Sequence, residues 1–474
     1  MATDAERLAR PEHVSVVGPA GCGKTTLIAA AAAQSDGRQL ILTHTHAGVA
    51  ALRQKLRRAG VARASYEIHT ICGWALRLAQ SYPMMSGVKT TMPTAHEWAD
   101  TYHAATDLLM SSTIRRVVQV SYRGAFVDEY QDCALGQHGL VLQLAEIMPV
   151  RVIGDPLQGI FSFQEEVVNW EQHVQPAFRH LMELRTPYRW QGKNECLGRW
   201  LLGLRDALLE DRPVRLDAAP VTWCSSDGRR CRTGCKGCRL CYANPKAALL
   251  HISESPRAAA AVARTVAGLQ TIEEMQCQRL LDAAKAIDQS TNSCELDATL
   301  ACLVKRCYAR ADKVWRSADV KRLRQALADQ DRFAAIDAIL EAVSGSKGPR
   351  LHNGDLWSEL RRAVRLKIDH SEQYGTFHDA AWRAREITRY SGRSLPQRVA
   401  STVLRVKGLE FDHAIVGNAQ AVRRHKNADP LLGAKNFYVA ATRASTSLTV
   451  FCPQPVLDRW HSSPTLAEQL SLLD

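Results

Sequence analysis

Gly18, Gly21 and Gly23 lie in a short run that ends in Lys24, Thr25 and Thr26, with the spacing GxxxxGKT. That spacing suits polyphosphate chemistry. Glycines let the main chain curl until its N–H groups face an anion. The lysine adds a point charge for the β- and γ-phosphates, and the threonine hydroxyl can ligate Mg²⁺. The run follows the apolar VSVV and opens a helical stretch, which is the context the pattern requires. About a hundred residues further on stands Asp128-Glu129-Tyr130-Gln131-Asp132, also after an apolar run. A carboxylate at a strand end can hold a divalent cation while its neighbour takes a proton from water. Asp128 therefore reads as the metal ligand and Glu129 as the general base. A third group is cysteine-rich: Cys224, Cys231, Cys235, Cys238 and Cys241, the last four spaced C-x3-C-x2-C-x2-C with Arg, Lys and Gly between them. Packed thiolates repel one another unless a metal holds them. Zinc on Cys231, Cys235, Cys238 and Cys241, with Cys224 as a spare, is the first reading. An iron–sulfur cluster is the alternative, and free surface thiols are the bland one.

The elements that must position these groups read as βαβ units. Residues 14–18, 40–45, 125–129 and 150–155 are apolar runs of strand length, two of them ending in acids, with a helix starting near Lys24. A second α/β pattern is split. Its first piece runs from about Met182 to Thr265, with VTW and ALLHIS as strands. It resumes at VASTVLRV (399–406), followed by AIVG and SLTVF. Between the two pieces the chain is helical and rich in Leu, Ala, Arg and Asp, with SGSKGP (344–349) as a loop. The expected domains are 1–185, with a short insertion at about 73–120; 186–265, holding the Cys-rich hairpin 224–241; 266–398, a helical insertion; and 399–474, which completes the second α/β domain.

Bulk composition narrows the class. At 474 residues, 46% hydrophobic and 23% charged, the chain is ordinary globular material for more than one core. It lacks an apolar run long enough for a membrane helix, and MATDAERLARPEH lacks the apolar centre of a secretory signal. No membrane association and a cytoplasmic location are expected. The net charge of +13, from 61 basic and 48 acidic residues, favours an anionic polymer as partner. In such a setting 14 cysteines argue for metal or burial rather than a disulfide framework.

The ordered motifs resemble those of the UvrD/Rep-type superfamily 1 helicases, whose DExQD motif is here Asp128 to Asp132. Gly154-Asp155 through Gln158 to Phe161 and Phe163 is similar to motif III, which implies that Gln158 senses the γ-phosphate and that the two phenylalanines lie beside DNA bases. Pro187-Tyr188-Arg189 resembles motif IV, implying Tyr188 against the adenine and Arg189 on the γ-phosphate. Lys407-Gly408-Leu409-Glu410-Phe411 resembles motif V, with Glu410 on the ribose. Tyr438 to Ala444 resembles motif VI, with Arg443 as the arginine finger. Thr43, His44 and His69 fall where the family's motif Ia and Ic strand contacts lie.

The resemblance implies an α/β protein of two RecA-like P-loop domains, with ATP in the cleft between them and a helical insertion and Cys-rich hairpin in the second. It implies ATP and Mg²⁺ use, and 3′→5′ movement on single-stranded or tailed DNA in repair or phage defence. A partner nuclease or a defence or repair protein fits such a role. Two other readings stay open: a DNA-sensing ATPase subunit without processive unwinding, and an RNA-directed motor. The chain departs from the family in four places. No Gln-containing motif is evident before the phosphate loop, Gln164 replaces an arginine, Leu404 replaces a histidine, and the insertions are short.

Overall fold

The computed structural model describes residues 2–88, 97–160, 166–225, 247–266, 268–272, 278–328, 331–346, 348–390, 396–424 and 429–461. Phe161, Phe163, Cys231, Cys235, Cys238 and Cys241 lie outside the described residues. The chain divides into two compact units, one of residues 1–220, 423–446 and 456–474, the other of residues 221–422 and 447–455.

The first unit is built on six strands: β1 (Val14–Val17), β2 (Gln39–Thr43), β3 (Tyr66–Thr70), β4 (Gly124–Val127), β5 (Val150–Gly154) and β6 (Arg179–Glu183). They form one sheet in the order β3-β2-β4-β5-β1-β6, every pairing parallel. β1, β2, β4 and β5 are buried along their whole length, as a sheet covered on both faces demands. On one face Val16, Ile41, Phe126 and Ile153 pack with α1 (Ala2–Ala9), α2 (Lys24–Gln34) and α3 (His46–Arg58). On the other, Val17, Leu42, Val127 and Val152 pack with α4 (Ile71–Ser81), α6 (Glu97–Met110), α7 (Ser112–Ser121) and α8 (Leu135–Ala145); α5 (Pro83–Ser86) is a single turn. A two-stranded antiparallel ribbon joins β7 (Val214–Arg215) to β16 (Val456–Leu457), the last strand among the described residues.

The second unit has β8 (Thr222–Cys224), β9 (Leu249–Ile252), β10 (Gln270–Thr271), β13 (Arg398–Ser401), β14 (Phe411–Val416) and β15 (Ala444–Phe451), in the order β10-β13-β9-β14-β15-β8. β13 runs parallel to β10 and β9, β14 to β9, and β15 to β8. β11 (Tyr308–Ala309) and β12 (Arg350–Leu351) form an antiparallel pair within a helical body. That body gathers the helices Gln278–Gln289, Ser293–Cys307, Arg332–Gly345, Gly354–Asp369 and Phe377–Tyr390 around one apolar core containing Leu300, Ile336, Leu360 and Phe377. Side-chain caps start several of them: Asn292 accepts from Glu295 N at 2.9 Å, Asp331 from Ala334 N at 3.2 Å and Asn353 from Leu356 N at 3.2 Å. No helix among the described residues is long and apolar enough to cross a membrane.

Several boundaries differ from the sequence reading. β2 stops at Thr43 and β4 at Val127, so His44, Asp128 and Glu129 sit on the turns beyond the strands. VASTVLRV is not one strand: β13 ends at Ser401 and Val403–Val406 coils into a helical turn. β3 and β6 went unread because β3 alternates half-buried with buried positions and β6 starts exposed, so neither shows a continuous apolar run.

Candidate active site

The carboxyl ends of β1, β4 and β5 meet side by side, where ligands bind in open parallel sheets. β1 delivers the phosphate loop. Gly21 and Gly23 take φ of 70° and 88°, a region that side chains resist. Gly21 is also crowded: a β-carbon there would lie 2.6 Å from the Trp190 ring. Gly23 leads directly into α2, whose first turn carries Lys24, Thr25 and the half-buried Thr26. Lys24 is buried. Its ammonium donates to Gly18 O at 2.9 Å and lies 3.9 Å from Glu129 Oε1.

β4 delivers the acids. Thr25 Oγ1 donates to Asp128 Oδ2 at 3.4 Å, which places the two expected magnesium ligands together. Burial, and next the charge of Glu129, push the Asp128 carboxyl up to about 7, against the pull of Lys24. Burial leaves this carboxyl short of positive charge, and hard oxygen donors of this kind suit Mg²⁺. Glu129 has φ of 56°, a left-handed backbone that costs a non-glycine residue about 1–3 kcal/mol. What holds it there is local. Glu129 N donates to Asp128 Oδ1 at 2.9 Å, and Gln131 Nε2 donates to Glu129 Oε2 at 2.5 Å. Gln131 Oε1 in turn accepts from Asp155 N at 2.9 Å, at the end of β5. Gln158 Nε2 donates to Asp155 Oδ2 at 2.8 Å.

The segment after β6 closes the loop's other side. Arg189 N donates to Gly21 O at 3.1 Å, while its guanidinium donates to Thr442 O at 2.7 Å. Trp190 Nε1 donates to Ala444 O at 2.7 Å and Asn194 Nδ2 to Thr446 O at 2.8 Å. Ala20 N donates to the Tyr438 hydroxyl at 3.2 Å. The stretch that carries Arg443 thus belongs to the same compact unit as the phosphate loop. Arg443 is 1% exposed; its Nε donates to Val439 O at 2.8 Å and its Nη2 to Thr442 Oγ1 at 2.9 Å. Tyr188 lines a cavity next to the phosphate loop, with Cys22 and Leu27.

The other expected residues scatter more widely. Thr43 is buried at the end of β2. His44 follows it and lies 3.4 Å from Cys133 Sγ, just past the DEYQD turn. His69, on the edge strand β3, is bound to Glu67 at 2.7 Å. Burial would raise the Glu67 carboxyl, but hydrogen bonds from His69 and Tyr122 hold it down at about 2. Glu410 is exposed and belongs to the second unit. Groups of three or more metal-ligating side chains do not occur among the described residues, which exclude four of the five clustered cysteines.

Three contributors escaped the sequence reading. Gln131 ties Glu129 to the neighbouring strand. Arg205 is 4% exposed, donates to Glu183 Oε1 at 2.6 Å and lies 3.5 Å from Asp155 Oδ1. Trp190 backs the phosphate loop. Arg205 did leave a signal: it interrupts the apolar stripe Leu197, Leu201, Leu204, Leu208 of the helix Glu195–Leu209.

Comparison with known proteins follows the same line. Residues 78–176 match the model of the UvrD/REP helicase N-terminal domain. No curated protein matches the chain by sequence. Among solved structures it is similar to the Arterivirus nonstructural protein 10 helicase in complex with DNA, at 11% identity and TM-score 0.36, covering 95% of this chain and 63% of that one. A second structure of the same Arterivirus helicase matches at 12% identity and TM-score 0.29, covering 95% and 61%. The chain therefore spans less than two thirds of the length of these helicases. The matched N-terminal domain carries the DEYQD turn, and the motifs on either side of it stand in the family's order. Within residues 78–176 the chain therefore matches the UvrD/REP helicase N-terminal domain.

Proposed function

We propose that the chain is an ATP-driven motor that moves 3′→5′ on single-stranded or tailed DNA. The observation that carries this reading is the convergence of Lys24, Thr25, Asp128 and Glu129 at adjacent strand ends, with Glu129 fixed from β5 through Gln131. Lys24 and the loop N–H groups would hold the β- and γ-phosphates. A magnesium ion on Thr25 and Asp128 would supply charge neutralisation at those phosphates. Glu129 takes a proton from the attacking water, and its tether keeps the carboxylate from swinging away. Arg189 and Arg443 compensate the charge that builds on the γ-phosphate, and Gln158, held on Asp155, reports its presence. Tyr188 would stack on the base and Glu410 would reach the ribose. Thr43, His44, His69, Phe161 and Phe163 would meet the strand, the aromatic pair by stacking on bases.

The test is ATP turnover with and without single-stranded DNA and RNA, run beside strand displacement on 3′- and 5′-tailed duplexes. Stimulation by DNA and displacement from the 3′ tail support the reading. DNA stimulation without displacement from either tail would instead make the chain a DNA-sensing ATPase, and stimulation by RNA alone an RNA motor.

The cysteine run adds a zinc knuckle to this reading, on spacing alone: Cys231, Cys235, Cys238 and Cys241 as ligands and Cys224 as a spare. Elemental analysis of anaerobically purified protein should find about one equivalent of zinc in a colourless sample, as expected of one such site. Iron with labile sulfide would replace it by a cluster, and five freely titratable thiols without metal would remove the site.

A further inference from the structure

Two carboxylates flank the root of the phosphate loop. In the first sheet β1 lies between β5 and β6, so Asp155, just past β5, and Glu183, the last residue of β6, stand on either side of it. The root is bonded to both neighbours: Gly18 N donates to Gly154 O at 2.8 Å and Leu184 N to Val17 O at 2.9 Å. Asp155 is fully buried and both its oxygens are engaged. Oδ1 accepts from Leu157 N at 3.3 Å and Oδ2 from Gln158 Nε2 at 2.8 Å. These bonds fold Pro156–Gln158 into a tight turn and set how the Gln158 carboxamide faces. Its N–H end is spent on Asp155, so its carbonyl end is turned away.

A carboxylate taken out of water needs a counter-charge. Arg205, on the helix Glu195–Leu209, is nearly as deeply buried and reaches both flanks of the loop at once. Its Nη1 donates to Glu183 Oε1 at 2.6 Å. Its Nε lies 3.5 Å from Asp155 Oδ1, without a hydrogen-bond partner among the described residues. Burial pulls the guanidinium pKa down, but the charge of Asp155 holds it above its ordinary value. The two flanks are held unequally. Glu183 also accepts from Arg185, which is itself tied to Asp206 at 2.9 Å. On the β5 side it is Arg205 that faces Asp155, and a small shift of the Pro156–Gln158 turn would complete the bond to Nε.

We propose that Arg205 is a positioning residue: it holds Asp155, and through Asp155 it fixes the Gln158 carboxamide towards the γ-phosphate. This rests on reading the phosphate loop as a hydrolytic site. The test is a double-mutant comparison of DNA-stimulated ATP turnover. Arg205→Gln should lower kcat about ten- to a hundredfold with KM little changed, the scale on which supporting partners of a site residue act. Arg205→Lys, which keeps the charge, should recover part of that loss. In a Gln158→Ala background, Arg205→Gln should cost less than about twofold more, because both changes break one chain of contacts. Losses that multiply, or a lysine no better than glutamine, would overturn the assignment. Should Arg205→Gln alone melt too low to assay, Asp155→Asn is added, which leaves no unpaired carboxylate. That pair of changes and Gln158→Ala should again combine without multiplying, and multiplied losses overturn the proposal. Should the unaltered protein hydrolyse no ATP, the hydrolytic reading fails on its own. Calorimetric titration with ATPγS and ADP then decides for Arg205. A preference for ATPγS that Arg205→Gln and Gln158→Ala reduce alike supports it. A preference that Arg205→Gln leaves intact, or no binding of either nucleotide, overturns it.

Discussion

The two six-stranded sheets share a parallel βαβ logic, yet their carboxyl ends are loaded in opposite ways. The first presents Lys24, Asp128, Glu129 and Asp155, with Arg205 beneath them, within one web of hydrogen bonds and ion pairs. The second presents neutral groups where β9, β13 and β14 end: Ser253, Ser401 and Asn418, all buried, beside His251. Ser401 Oγ and His251 Nε2 have no hydrogen-bond partner among the described residues, and burial pushes the His251 imidazole down to about 4. Topology alone therefore does not make a hydrolytic site. A polyphosphate and its cation need charges of both signs at fixed positions, and every charge taken out of water there must be tied to a partner. Among the described residues the first sheet end meets that requirement, and it draws the Tyr438–Arg443 stretch into its own unit.

The contrast breaks first if the charged end is not the seat of chemistry. Lys24→Ala and Glu129→Gln should each abolish turnover, the first by weakening nucleotide binding and the second with binding spared, as fluorescent-nucleotide titration will separate. Near-normal turnover in Glu129→Gln would take the base away from this end. The next effect is on Arg443. Its replacement by Ala should cut DNA-stimulated turnover about a thousandfold, the scale of an arginine finger, while nucleotide affinity holds. Because Arg443 is buried and bonded to its own helix, thermal melting must accompany the assay. Equal loss of binding, turnover and stability would make it a structural residue.

The smallest effect sharpens the neutral end. His251 has a lower pKa folded than unfolded, so it contributes stability that is complete above about 6.5 and is lost as pH falls towards about 4. Linkage limits this to on the order of 3 kcal/mol. His138 of the first unit, also lowered to about 4 by burial and then by His173, adds a similar slope. Melting temperature followed between pH 7 and pH 4, as the linkage predicts, should flatten in part in His251→Asn and more in the double variant with His138→Asn. An unchanged slope in both would show that neither imidazole is the sensor.

What could be read in the sequence was what chemistry fixes at short range. Lys24, Thr25, Asp128 and Glu129 sit in local patterns whose spacing serves one purpose, and the structure brings them within bonding distance. Strands buried on both faces were legible for the same reason, being continuous apolar runs. The pairings of Gln131 with Asp155, Arg189 with Thr442 and Trp190 with Ala444 were not, because each joins residues remote in sequence whose meeting depends on the whole sheet order. The helical body was legible as helix but not as a single core, since which faces turn inward depends on neighbours up to about a hundred residues away.

The chain passes between its two units after residues 220, 422, 446 and 455, four times in all, and one of those passages falls inside β15. A gene fragment ending at 220 would encode the phosphate loop and the acids but neither Tyr438 nor Arg443. A fragment of 221–422 would lack the strand segment that pairs with β8. Recombination at a single junction therefore cannot transplant either unit intact. The two must be inherited together, and an exchange of one for a homologous counterpart requires four coordinated joins.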